Sequence, residues 1–299
     1  MLFLATVGFA KEHAVTYEVD GKVYEGYYST PSDNAPLVFI IHDWDGLNAY
    51  EMKRAKMLNT LGYGAFAIDL FGKDVKPVTL EEKKALTNAL YNDRAKMQKL
   101  LNASYQAAKK EGANVTNAIG IGYCFGGAAL LEMARMGTPL KGFASFHGGL
   151  ATPSGEDYKQ TKGFVLILHG TADESVSMDE FATLAKELEK TGVKHEMIAY
   201  SGAPHAFSVF GTERYREDAD KKSWRRLVEF LDGKPTPGVG FAMGIERLME
   251  LVKMPEVVRE GYYIGALCDE ALNTVFDLAI KKRKNEKVLS IYESKSLKN

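Results

Sequence analysis

Ala118-Ile119-Gly120-Ile121-Gly122-Tyr123-Cys124-Phe125-Gly126-Gly127 is the stretch on which the reading of this chain turns. A β-rich run, Ala118 to Ile121, meets a cysteine bracketed by glycines. An apolar, helix-like run follows, Ala128-Ala129-Leu130-Leu131-Glu132-Met133. Glycines two positions either side of Cys124 make the pattern G-x-[SC]-x-G. In that pattern a tight strand-to-helix turn lifts a nucleophile clear of a sheet, and close backbone packing tolerates only small residues around it. The first turn of a helix also favours a thiolate, through its free N–H groups and its dipole. A nucleotide-binding glycine loop is the competing reading. It would need a third glycine at Phe125 and an acid after the next strand, yet the run Gly142 to Phe146 ends in His147. A buried structural cysteine in a glycine-rich turn is the plainest alternative.

Outward from the cysteine, strand and helix patterns alternate. Toward the N-terminus lie an alternating hairpin, His13 to Ser29 about Asp20-Gly21, and a continuous apolar strand, Leu37 to Ile41. A helix from Asn48 to Leu61 stopped by Gly62, a strand from Tyr63 to Leu70, and long helical patterning from Thr79 to Glu111 come next. Toward the C-terminus come strands at Phe164 to Leu168 and His195 to Tyr200, and helices at Met178 to Lys190 and Glu213 to Leu231. This alternation predicts an α/β fold with a mostly parallel, doubly wound sheet.

In such sheets catalytic groups sit on loops beyond the carboxyl ends of strands. Asp173 follows one late strand, in His169-Gly170-Thr171-Ala172-Asp173. His205 follows the next, in Ser201-Gly202-Ala203-Pro204-His205. Taken alone, Asp173 reads equally as a helix cap and His205 as a loop histidine. The order Cys124, Asp173, His205 is the nucleophile–acid–histidine order of α/β-hydrolases.

From about Thr16 to Leu231 the chain resembles the dienelactone hydrolase family of α/β-hydrolases. The motifs that carry the resemblance are Gly122 to Gly127, Gly170 to Val176, Pro204-His205-Ala206-Phe207 and His42-Asp43-Trp44-Asp45-Gly46-Leu47-Asn48. It implies a Cys124–His205–Asp173 triad and an oxyanion hole from the backbone N–H groups of Phe125 and Trp44. It also implies an acid, Asp43, that contacts the nucleophile. The resulting chemistry is a thioester acyl-enzyme formed from a small ester or lactone, with no cofactor and no metal. Two departures stand out. Asp43 is one methylene shorter than the family's usual glutamate. Val209 stands where carboxylate-binding members carry an arginine, which predicts neutral esters turned over at least as well as anionic ones; a strong preference for an anionic lactone would instead point to Lys73 or Arg214 as a replacement cation. An acyl-thioester hydrolase, or a non-catalytic fusion, is the alternative function.

The chain of 299 residues continues past this region. Residues 233–299 resemble the C-terminal part of histidyl-tRNA synthetase, with Arg247 at an ATP-contacting position and a strand–helix–strand run through Tyr262 to Leu267, Glu270 to Lys284 and Val288 to Tyr292. No other part of a synthetase site is present upstream, so this tail, a small partial α/β extension, is expected to be inert as a synthetase. From Lys281 on it carries seven Lys or Arg against two Glu, which allows at most weak RNA contact; a solvated helix end explains it more simply. Net charge is −1, so nothing draws the whole chain to nucleic acid or membrane. The two cysteines, Cys124 and Cys268, form neither a disulfide framework nor a zinc site, and Cys268 reads as structural. Residues 1–12 are apolar up to Ala10, and Gly8-Phe9-Ala10 suits a cleavage site. They read as a signal-peptide remnant favouring a periplasmic or exported protein, with a first strand as the alternative. Residues 13–232 are then the hydrolase-like domain, a monomer or small homo-oligomer.

Overall fold

The computed structural model describes residues 11–232, Lys281 and the strands Tyr262–Ala266 and Val288–Glu293. The expected export segment before Lys11, Arg247, Cys268 and the helix at 270–284 apart from Lys281 lie outside the described residues. The chain divides into two compact units, Met1–Thr236 and Pro237–Asn299.

In the first unit, β1 (Lys11–Val19) and β2 (Lys22–Thr30) form the expected hairpin. Asp20 and Gly21 both have positive φ, 52° and 74°, as a type I′ turn requires. Lys11 and Glu12 belong to β1, two residues ahead of the hairpin start expected at His13. Then follow β3 (Pro36–Ile41), α1 (Ala49–Thr60), β4 (Gly64–Ile68), α2 (Leu80–Asn92), α3 (Arg94–Lys110), β5 (Asn114–Tyr123) and α4 (Phe125–Arg135). The unit closes with β6 (Gly142–Phe146), β7 (Phe164–Gly170), α5 (Met178–Thr191), β8 (His195–Tyr200) and α6 (Glu217–Leu231).

The strands form one sheet in the order β1-β2-β4-β3-β5-β6-β7-β8. It is parallel from β4 to β8 and antiparallel at the β1/β2/β4 edge. Winding reverses between β3 and β5, and ligands of open α/β sheets bind at that switch point.

The unbroken apolar run Val38-Phe39-Ile40-Ile41 is explained by burial on both faces. Phe39 and Ile41 join Leu100, Leu130 and Leu184 of α3, α4 and α5, while Val38 and Ile40 join Leu58 and Leu227 of α1 and α6. Truncating any of these leucines to alanine should cost about 2–5 kcal/mol.

Two boundaries differ from expectation. The run Thr79 to Glu111 is two helices. Asp93 closes α2 with φ −122° and ψ 76°, then caps α3 by accepting the Lys96 N–H at 2.9 Å. Helix α6 begins at Glu217, because turns through Thr212 and Tyr215 occupy the preceding residues. In the second unit, β9 (Tyr262–Ala266) and β10 (Val288–Glu293) pair in parallel, as a strand–crossover–strand run demands.

Candidate active site

Cys124 sits between the end of β5 and the start of α4 with φ 53° and ψ −116°, outside the regions a side chain favours. The turn requires glycine on both sides of the cysteine. A Cβ on Gly122 would strike the Gly126 carbonyl, and one on Gly126 would strike the Ile41 carbonyl of β3. The first turn of α4 therefore packs backbone to backbone against the ends of β5 and β3, and the sulfur is lifted above the switch point.

Asp173 follows β7 and His205 follows β8. Asp173 Oδ2 lies 2.8 Å from His205 Nδ1, and His205 Nε2 lies 3.0 Å from Cys124 Sγ. The other Asp173 oxygen accepts the N–H groups of Ser175 and Val176 at 2.8 and 2.9 Å, which fixes the carboxylate. Burial works against charge on His205, but the Asp173 carboxylate and the Cys124 sulfur outweigh it and push the imidazole up to about 10. Burial likewise raises Asp173, and the His205 partner and the backbone donors overcome it, leaving the acid below its ordinary value.

Trp44 and Phe125 line the same cavity, about 470 Å³, with Asp43, Tyr91, Cys124 and His205. Among the described residues neither the Trp44 N–H nor the Phe125 N–H donates to a protein acceptor. His42 orients the first of these donors, a role that sequence reasoning missed. Its Nδ1–H donates to the Asp43 carbonyl at 2.6 Å, and its Nε2 accepts the Leu70 N–H at 3.1 Å. In a planar trans peptide the N–H points opposite the carbonyl, so the buried imidazole sets the direction of the Trp44 N–H.

Asp43, expected to contact the nucleophile, lines the cavity, but its carboxylate Oδ1 accepts the Asp45 N–H at 2.7 Å, and among the described residues no hydrogen bond joins it to Cys124. The short side chain folds back into its own turn. Burial raises its acid to about 6, and beneath it the buried Glu51 is raised to about 8 by burial and by Asp43.

Of the two replacement cations, Lys73 is paired with Glu25 at 3.0 Å and is not on the cavity wall, whereas Arg214 is on it. Arg94 and Arg135 also line the cavity but share Glu132, which is fully buried, at 3.3 and 2.5 Å. Among the described residues Arg214 has no ion pair. No described residues cluster as a metal site, and no described helix is long and apolar enough to cross a membrane.

Comparison with known proteins divides the chain. A 64% identical match over 74 residues joins its C-terminal region to a histidine–tRNA ligase of Sulfurimonas denitrificans, covering 25% of this chain and 18% of that enzyme's length. A putative carboxymethylenebutenolidase of Aquifex aeolicus is 27% identical over 228 residues, which is 72% of this chain and 96% of the relative. Among solved structures, a dienelactone hydrolase-like promiscuous phosphotriesterase from metagenomic libraries superposes with a TM-score of 0.70 at 26% identity, covering 76% of this chain and 99% of that one. The model of the dienelactone hydrolase family matches residues 24–234, from the second strand to just past the last helix of the first unit, and the chain therefore belongs to the dienelactone hydrolase family.

Proposed function

We propose that the chain is a carboxylic ester hydrolase acting on small esters or lactones through Cys124, His205 and Asp173. The observation that carries the reading is the unbroken hydrogen-bonded line Asp173–His205–Cys124 at the mouth of a cavity that also presents two unengaged N–H groups. The thiolate of Cys124 attacks the substrate carbonyl carbon, and the N–H groups of Trp44 and Phe125 receive the oxyanion, each worth about 3 kcal/mol of barrier. Collapse expels the alkoxide, which takes the proton held on His205 and leaves a thioester on Cys124. His205 then removes a proton from water, hydroxide adds to the thioester, and the thiolate departs as the acid is released.

The raised His205 supports an imidazolium resting beside the sulfur. The tail has no part in this chemistry, and truncation after Gly233 should leave hydrolysis intact.

A panel of ester, lactone and thioester substrates tests the reading with wild type and Cys124→Ala. Turnover by wild type and an acyl adduct on Cys124 by mass spectrometry are expected. Turnover surviving in Cys124→Ala would remove the assignment.

A further inference from the structure

A second histidine stands behind the first. His147 follows β6, is fully buried, and holds a positive φ of 39° with its N–H donated to the Leu168 carbonyl at 2.8 Å. Its ring meets the His205 ring edge to face, with centroids 5.5 Å apart at 66°, and also abuts Phe207 at 5.1 Å. His147 Nε2 lies 2.8 Å from the hydroxyl of Ser208, which is three residues beyond His205 on the same loop.

Ser208 is anchored in turn. Its Oγ is 2.9 Å from the Tyr50 hydroxyl, and its carbonyl accepts from Arg54 Nη2 at 2.9 Å. Arg54, in the interior of α1, is completely buried; it donates through Nε to the Tyr50 hydroxyl at 3.2 Å and pairs with Asp220 of α6.

We propose that His147 and Ser208 are a positioning pair for the His205 imidazole, braced by the buried Arg54–Asp220 ion pair; the role rests on the Cys124–His205 chemistry proposed above. Hydrogen bonds at Nδ1 and Nε2 hold His205 along one axis and leave the ring free to roll about it. An edge-on neighbour stops that roll only if the neighbour is itself fixed. Ser208 fixes it and belongs to the loop that carries His205, so the contacts Ser208–His147–His205 close on themselves. Arg54, Tyr50 and Asp220 then tie that closed loop to two helices.

A charged wedge would repel the imidazolium, and the surroundings of His147 disfavour its charge. Burial, then His205 and Arg54, hold it well below the usual histidine value. His169 is the other titratable neighbour that opposes its protonation, and the Tyr123 ring lies 6.0 Å from it.

The test uses the full chain and measures the alkylation rate of Cys124 by iodoacetamide against pH, read by peptide mass to separate it from Cys268, with ester kinetics and thermal melts in parallel. In Ser208→Ala and His147→Leu the alkylation midpoint should rise by about one pH unit. In the same variants kcat should fall about 10- to 100-fold while KM changes little. His147→Gln, which can still hydrogen-bond Ser208, should recover most of both. Lower melting temperatures with unshifted midpoints and wild-type kcat would overturn the proposal and leave the cluster a purely structural one. If His147→Leu does not fold, Ser208→Ala and Tyr50→Phe decide by the same readouts. A wild type that alkylates as expected but cleaves no ester would end the esterase reading without touching this one, because the midpoints need no substrate.

Discussion

The nucleophile turn and the histidine loop reach the same cavity by opposite means. Both place a non-glycine residue at positive φ, Cys124 at 53° and Ala206 at 62°. The first is held by exclusion: at Gly122 and Gly126 the packed backbones leave no space for a Cβ. The second is held by attraction: Ser208, Tyr50, Arg54 and Asp220 form a buried polar chain beneath the loop. A turn fixed by exclusion is indifferent to the side chain at its apex, whereas a loop fixed by attraction depends on each partner's chemistry.

The largest effect expected from this contrast is at the apex itself. Cys124→Ala should abolish turnover, below a few per cent of wild type, while the fold survives, because alanine suits the cramped turn. Gly126→Val should do the reverse of a clean knockout. It should cost more than about 4 kcal/mol or prevent folding, since its Cβ would enter the β3 backbone. Denaturant melts with activity assays on both variants check the pair, and a stable Gly126→Val would break the contrast.

Next in size is the histidine side. Arg54→Met leaves Asp220 buried without its partner and should cost about 3–5 kcal/mol, with Arg54→Met/Asp220→Leu recovering part of it. Chemical denaturation of the double-mutant cycle measures this, and additive losses would mean that the two charges do not act as a pair.

The third prediction concerns pH. His205 is raised from its ordinary value to about 10, so the folded state holds its proton more tightly than the unfolded chain. The stabilisation is complete below about 6.5 and is lost as pH climbs from there towards 10. Asp173 is lowered, so its contribution is present above the ordinary aspartate value and lost as pH falls through the folded one. The stability margin of wild type over His205→Gln should therefore shrink between neutral and alkaline pH; a margin that grows would refute the sign.

The smallest effect belongs to Arg214. It is exposed, and exposed charges are screened by solvent. Neutral esters should be turned over at least as well as matched anionic ones, and Arg214→Gln should weaken only the anionic substrates, by less than about 10-fold in kcat/KM. A larger loss would make Arg214 the substitute for the cation missing at Val209.

The same contrast marks what the sequence could reveal. Exclusion leaves a local trace, so the spacing of Gly122, Cys124 and Gly126 was readable, and strand-end placement exposed Asp173 and His205. Attraction between distant elements leaves none. Arg54 and Asp220 are 166 positions apart and each resembles an ordinary charge on an amphipathic helix. His147 and His42 were visible as residues, but their tasks depend on partners that only the fold supplies. Asp93 escaped notice because a single aspartate, with no glycine or proline beside it, both ends α2 and starts α3. Asp43 was read as the acid that touches the nucleophile; its preference for the Asp45 N–H is a matter of one side chain's reach.

The reversal of winding between β3 and β5 has a kinetic consequence. Trp44, Cys124, Asp173 and His205 follow four different parallel strands, each separated from the next in sequence by a crossover. Such pairings are non-local, and non-local pairings are slow to close. No fragment stopping short of β8 contains His205, so a partly made chain is a harmless thiol rather than an unguarded esterase. During refolding, fast alkylation of Cys124 should therefore appear only with the last strand, making this one sulfur a clock for completion of the sheet.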